Sequence, residues 1–114
     1  MLKLAVEKGR SWVFDTMKSV SEINLVLQRH LDQLRQEFHV AQIGVFGSTV
    51  MGEHNTESDI DILVEFSHPI GFVGFIQLEN HLKRILGTKI DLVSRKALKP
   101  HIGRRILEEV QYVT

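Results

Sequence analysis

From Ile23 onward, apolar residues recur at spacings of three and four, through Leu27, Leu31, Leu34 and Phe38. This is the stripe of an amphipathic helix of about four to five turns, with Ser21 placed to cap it. The opposite positions, Gln28, Arg29, Asp32, Gln33, Arg35 and Gln36, read as a solvated face, and His30 as a histidine at the edge of the core. The period then shortens to that of strands. A first strand is predicted over 41–46, ending in Ile43-Gly44-Val45-Phe46. A second runs from Ser58 to Phe66, with Ile60, Ile62, Val64 and Phe66 on one side and Asp59 and Asp61 on the other. Between them lie the turn Gly47-Ser48, a short helical turn over Thr49 to Gly52, and a loop from Glu53 to Glu57.

Pro69 and Gly71 break the chain before a second amphipathic helix, marked by Phe72, Phe75, Leu78, Leu82, Ile85 and Leu86 and stopped by Gly87. Ile90-Asp91-Leu92-Val93 predicts a short third strand. Beyond Pro100 a final helix is expected over about 101–110, carrying Ile102, Ile106, Leu107 and Val110. Residues 1–19 have no clear period and read as a loosely attached extension, with Met17 a candidate natural start. Residues 20–114 form the one domain that a 114-residue chain accommodates. There is no internal repeat or low-complexity tract.

Composition narrows the partners. Hydrophobic residues make up 43% and charged residues 25% of the chain, enough for an ordinary core. Fourteen Lys plus Arg balance fourteen Asp plus Glu, so no net charge draws the chain to nucleic acid or an anionic membrane, and nucleic acid is disfavoured as a substrate. The absence of cysteine removes disulfides, thiolate nucleophiles and cysteine metal sites, and fits a reducing compartment. No apolar stretch approaches the ~18–20 residues that span a bilayer. The start of the chain is too charged for a signal-peptide core, so the cytoplasm is the expected location.

Chemistry concentrates at Gly47-Ser48 and, after ten intervening residues, Asp59-Ile60-Asp61. Alternation puts the two carboxylates on one side of their strand, Cα atoms roughly 6.5–7 Å apart, where they can share Mg²⁺. Gly47 permits close backbone approach, and the Ser48 hydroxyl with neighbouring N–H groups can donate to phosphate oxygens. Paired acids also protect sheet edges, and Gly-Ser is an ordinary turn dipeptide. The combination at fixed offsets, however, arises by chance in roughly one chain of this length in a thousand. Asp91 interrupts an apolar strand, which is costly for a carboxylate unless it is paired, hydrogen-bonded or metal-bound. Beside the Asp59 strand it would complete a three-carboxylate cluster; otherwise it is a strand-end acid facing water or pairing with Lys89 or Arg95. The basic residues Arg95, Lys96, Lys99, His101, Arg104 and Arg105 could hold triphosphate or an acidic partner surface, or form a solvated helix face. The six histidines lack compact ligand spacing, which argues against zinc.

These residues resemble the nucleotidyltransferase superfamily of DNA polymerase β, and within it the minimal nucleotidyltransferases, the antitoxin half of HEPN–MNT toxin–antitoxin pairs. The likeness spans residues 22–113, through Gly47-Ser48, Ser58-Asp59-Ile60-Asp61, Lys89-Ile90-Asp91-Leu92-Val93, and Ala97-Leu98-Lys99-Pro100 on to Tyr112-Val113. It implies an α/β (α+β) fold, a mixed β-sheet with helices packed on one side. It also implies Mg²⁺, as two ions, at Asp59, Asp61 and Asp91, nucleotide phosphates at Gly47 and Ser48, and ATP as substrate. Asp91 would bind metal or accept the attacking hydroxyl's proton. Members of this family are thought to transfer AMP to a tyrosine of a partner HEPN ribonuclease and so silence it. One position departs from the family pattern: Met51 stands before Gly52 where a basic residue is usual, and methionine cannot pair with phosphate. His54, Arg95 or Lys96 could substitute for it. The alternative is therefore an antitoxin that neutralises its HEPN partner by binding alone. Exposed faces of the first and last helices could receive such a partner or a second copy of the chain.

Overall fold

The computed structural model describes residues 19–47 and 59–113. The predicted extension, Ser48, Met51, the short helical turn and the loop after it lie outside the described residues, apart from Ser19. Ser19 caps the first helix, α1 (Val20–Arg29), two positions ahead of the expected Ser21. Its hydroxyl accepts from the Glu22 N–H at 3.2 Å, while the Glu22 carboxylate accepts from the Ser19 N–H at 2.9 Å. Ser-x-x-Glu is the spacing that satisfies both orphan donors at once, and only Ser19 has it. The expected single helix is two. At His30 the backbone turns to φ −102°, ψ 6°, and the imidazole Nδ1 lies 2.9 Å from the Val26 carbonyl oxygen, closing α1 before α2 (Leu31–Phe38) begins. The apolar stripe runs through the break, with Ile23, Leu27, Leu31 and Leu34 all buried.

Strand β1 (Val40–Phe46) pairs antiparallel with β2 (Ile60–Phe66), and β2 pairs parallel with β3 (Ile90–Ser94). A bulge between Val40 and Gln42 shifts the β1 register, so Val40 and Ile43 both reach the core although they are three residues apart. Helix α3 (Gly71–Leu86) connects β2 to β3 and buries Leu78, Leu82 and Leu86. Gly87, at φ +70°, stops it as expected, its N–H bonding the Lys83 carbonyl. Phe72, placed on the stripe by its spacing, is 78% exposed beside the exposed Val73. The first turn of α3 stands clear of the core, which starts at Phe75.

A short 3₁₀ turn (Arg95–Ala97) leads to α4 (Pro100–Glu109), where Pro100 takes the first-turn position that needs no donor. Ile102, expected on its apolar side, is exposed, and Gly103 is buried instead. The chain ends in a strand too short for a period to reveal, β4 (Gln111–Tyr112), antiparallel to β1. The sheet order is β3-β2-β1-β4, a mixed sheet as the resemblance implies. Ile43, Val45, Ile60, Ile62, Val64, Ile90 and Leu92 form one core with the apolar sides of α1, α2 and α3, so that face of the sheet is covered. Among the described residues no helix is long and apolar enough to cross a membrane.

Candidate active site

The side of β2 away from that core carries Asp61, and three observations build a site around it. The first is register. Asp61 and Asp91 are direct partners across the parallel β2–β3 pair, so their side chains leave the same side of strands ~4.8 Å apart. Asp59 precedes the first ladder residue, Ile60, by one position and is exposed. The structure thus begins β2 two residues later than Ser58, and Asp59 lies at its mouth, held nearby because the Ile60 N–H bonds the Lys89 carbonyl at 3.1 Å.

The second observation concerns Gly47. Phe46 is the β1 partner of Asp61, so the turn that leaves β1 passes beside that carboxylate. Gly47 has φ +75°, and a Cβ placed on it would overlap the Asp61 carboxylate, lying 3.0 Å from its Cγ and 3.2 Å from its Cβ. Glycine is required twice over, by the left-handed backbone and by the acid that fills its side-chain space. The sequence pointed to Gly47 as a place for phosphate; it gave no sign of this contact with Asp61, because a turn's path is not written in any period. Ser48, the other predicted phosphate residue, lies outside the described residues.

The third is what Asp91 does not do. It is exposed, so the cost of burial, which made it conspicuous in the sequence, does not arise. Among the described residues neither alternative ion pair forms; Arg95 bonds Glu65 instead, at 3.2 Å. Among the described residues no group of three or more His, Cys, Asp or Glu side chains is close enough to hold a metal ion. The register therefore brings Asp61 and Asp91 together, with Asp59 two positions away, but does not close all three into one ligand set. As a donor set the pair suits Mg²⁺, offering hard carboxylate oxygens, with Asp91 exposed to solvent.

Close approach also shapes the sheet beside the site. A Cβ on Gly44 would lie 2.7 Å from the Gln111 carbonyl oxygen and 2.8 Å from Val110 Cγ2, so only glycine lets β4 join β1 there. A glycine inside an apolar strand run was the available signal.

The nucleotidyltransferase domain model matches residues 27–113, taking in β1, the Gly47 turn and both aspartate strands. The chain belongs to the nucleotidyltransferase family. Protein adenylyltransferase MntA of Thermococcus cleftensis is 44% identical over 97 residues, covering 85% of this chain and 98% of the relative. A solved minimal nucleotidyltransferase matches with a TM-score of 0.70 at 26% identity, covering 82% of this chain and 95% of that one. A toxin–antitoxin crystal structure with AMP-PNP shares the fold at a TM-score of 0.63 and 20% identity, covering 76% of this chain and 72% of that one. The chain is thus a minimal nucleotidyltransferase, an enzyme of α/β fold, as the resemblance implied.

Proposed function

We propose that this nucleotidyltransferase transfers AMP from ATP to a tyrosine hydroxyl of a partner HEPN ribonuclease and acts as its antitoxin. The reading rests chiefly on Asp61 and Asp91 aligned on adjacent parallel strands beneath the Gly47 turn. The name and near-complete coverage of the Thermococcus relative support adenylyl transfer to protein. Asp59, Asp61 and Asp91 would hold Mg²⁺, as two ions, which when bound supplies charge neutralisation at the α-phosphate and at the departing pyrophosphate.

The chain's own residues do the rest. Gly47 keeps the space beside Asp61 free of a side chain, and Ser48 follows it as the donor to phosphate oxygens. The acceptor oxygen attacks the α-phosphorus, the bond to the β-phosphate bridge oxygen breaks, and pyrophosphate leaves. Asp91, exposed on the same side as Asp61, would either hold metal or take the hydroxyl proton on a carboxylate oxygen. Met51 favours a second reading, neutralisation by binding alone, because it removes the usual phosphate-pairing base. Incubating enzyme, HEPN partner and Mg²⁺ with ATP labelled at either the α- or the γ-phosphate separates them. AMP transfer puts only the α-label on the partner; an unlabelled partner in a stable, inactive complex selects the binding reading.

A further inference from the structure

Of the basic residues that follow β3, two are already neutralised: Arg95 by Glu65 at 3.2 Å and Arg105 by Glu109 at 3.8 Å. Lys99 and Arg104 are exposed, and neither forms an ion pair among the described residues. Both line a cavity of about 400 Å³ where the 3₁₀ turn meets α4. Leu98, Pro100 and Leu107 give it apolar surface, and buried Gly103 keeps it open, since a Cβ there would press on Leu98 Cβ at 3.1 Å. Arg95 lines the same cavity and ties it to the sheet. Its partner Glu65 lies four residues along β2 from Asp61 and, by alternation, on the same side of the sheet.

The geometry points to this cavity as the docking site for an acidic segment of the acceptor protein. This rests on the reading of the chain as a transferase acting on a protein. With no net charge on the chain to steer an anion, recognition falls to the local unneutralised cations. Arg104 offers a planar fork matched to a carboxylate, and Leu98 and Leu107 suit an apolar neighbour. Glu108 lines the cavity too, so a dense polyphosphate would meet repulsion that spaced carboxylates avoid.

The test measures binding by fluorescence anisotropy of two synthetic tyrosine peptides of equal length, one with glutamates at several spacings from the tyrosine, one with lysines at the same positions. The wild type should bind the glutamate peptide at least about tenfold more tightly. Arg104→Glu and Lys99→Glu, both surface changes whose folding is checked by circular dichroism, should erase that preference. Lys96→Glu, the same charge change outside this cavity, should keep it. Equal affinity for the two peptides, an equal loss in Lys96→Glu, or displacement of the glutamate peptide by ATP would overturn the proposal. A wild type that binds the glutamate peptide but adds AMP to no protein would speak against the transferase and leave the docking surface standing.

Discussion

Gly47 joins conformation to chemistry at one residue. Gly47→Ala should strain the left-handed turn and push the new methyl group into the Asp61 carboxylate. We expect a stability loss of about 1–2 kcal/mol by urea unfolding. Transfer should fall by at least about tenfold, since a displaced carboxylate is a misplaced catalytic group. An unchanged rate would show that the turn and Asp61 do not work together. The Asp61–Asp91 alignment was partly legible in the sequence: alternation fixed the side of β2 that carries Asp61, but only the pairing of β2 with β3 showed that the two acids are partners. The Gly47 contact was not legible, because it depends on the path of a turn.

At the scale of elements, α3 carries a titratable group inside the helical layer. His81 is 8% exposed, its ring lies 5.0 Å from that of Phe38 and 6.2 Å from that of His30, and its Nδ1 is 3.1 Å from the Arg84 guanidinium. An Arg nitrogen can only donate, so Nδ1 accepts and the ring is neutral, with Nε2 buried and without a hydrogen-bond partner among the described residues. Burial first, then Arg84 and His30, lower its pKa below 6.5, opposed by Glu37. The unfolded chain therefore binds the proton more readily. The stability this neutral ring confers is complete above 6.5 and is lost as pH falls from 6.5 through the folded-state value. The melting temperature should drop between about pH 7.5 and 5.5 in the wild type and drop less in His81→Gln; equal slopes would remove His81 as the cause. Element existence was well marked by periodicity, while details set by tertiary context were not. Phe72 and Ile102 fit helical stripes yet face solvent, and β4 is held by Gly44 rather than by any pattern of its own.

At the scale of the whole molecule, one side of the sheet is covered by α1, α2 and α3, and the other carries the paired acids. Asp61 and Asp91 leave the same side of adjacent parallel strands, where a divalent cation could bind both. Mg²⁺ should raise the wild-type melting temperature and do little for Asp61→Asn. Identical responses to Mg²⁺ would count against metal at these acids. The most direct test of the account is the intact mass of the proposed HEPN partner after incubation with ATP, Mg²⁺ and either wild-type enzyme or Asp61→Asn. The account predicts addition of AMP units by the wild type alone. A partner modified equally by Asp61→Asn, or unmodified by both, would contradict it.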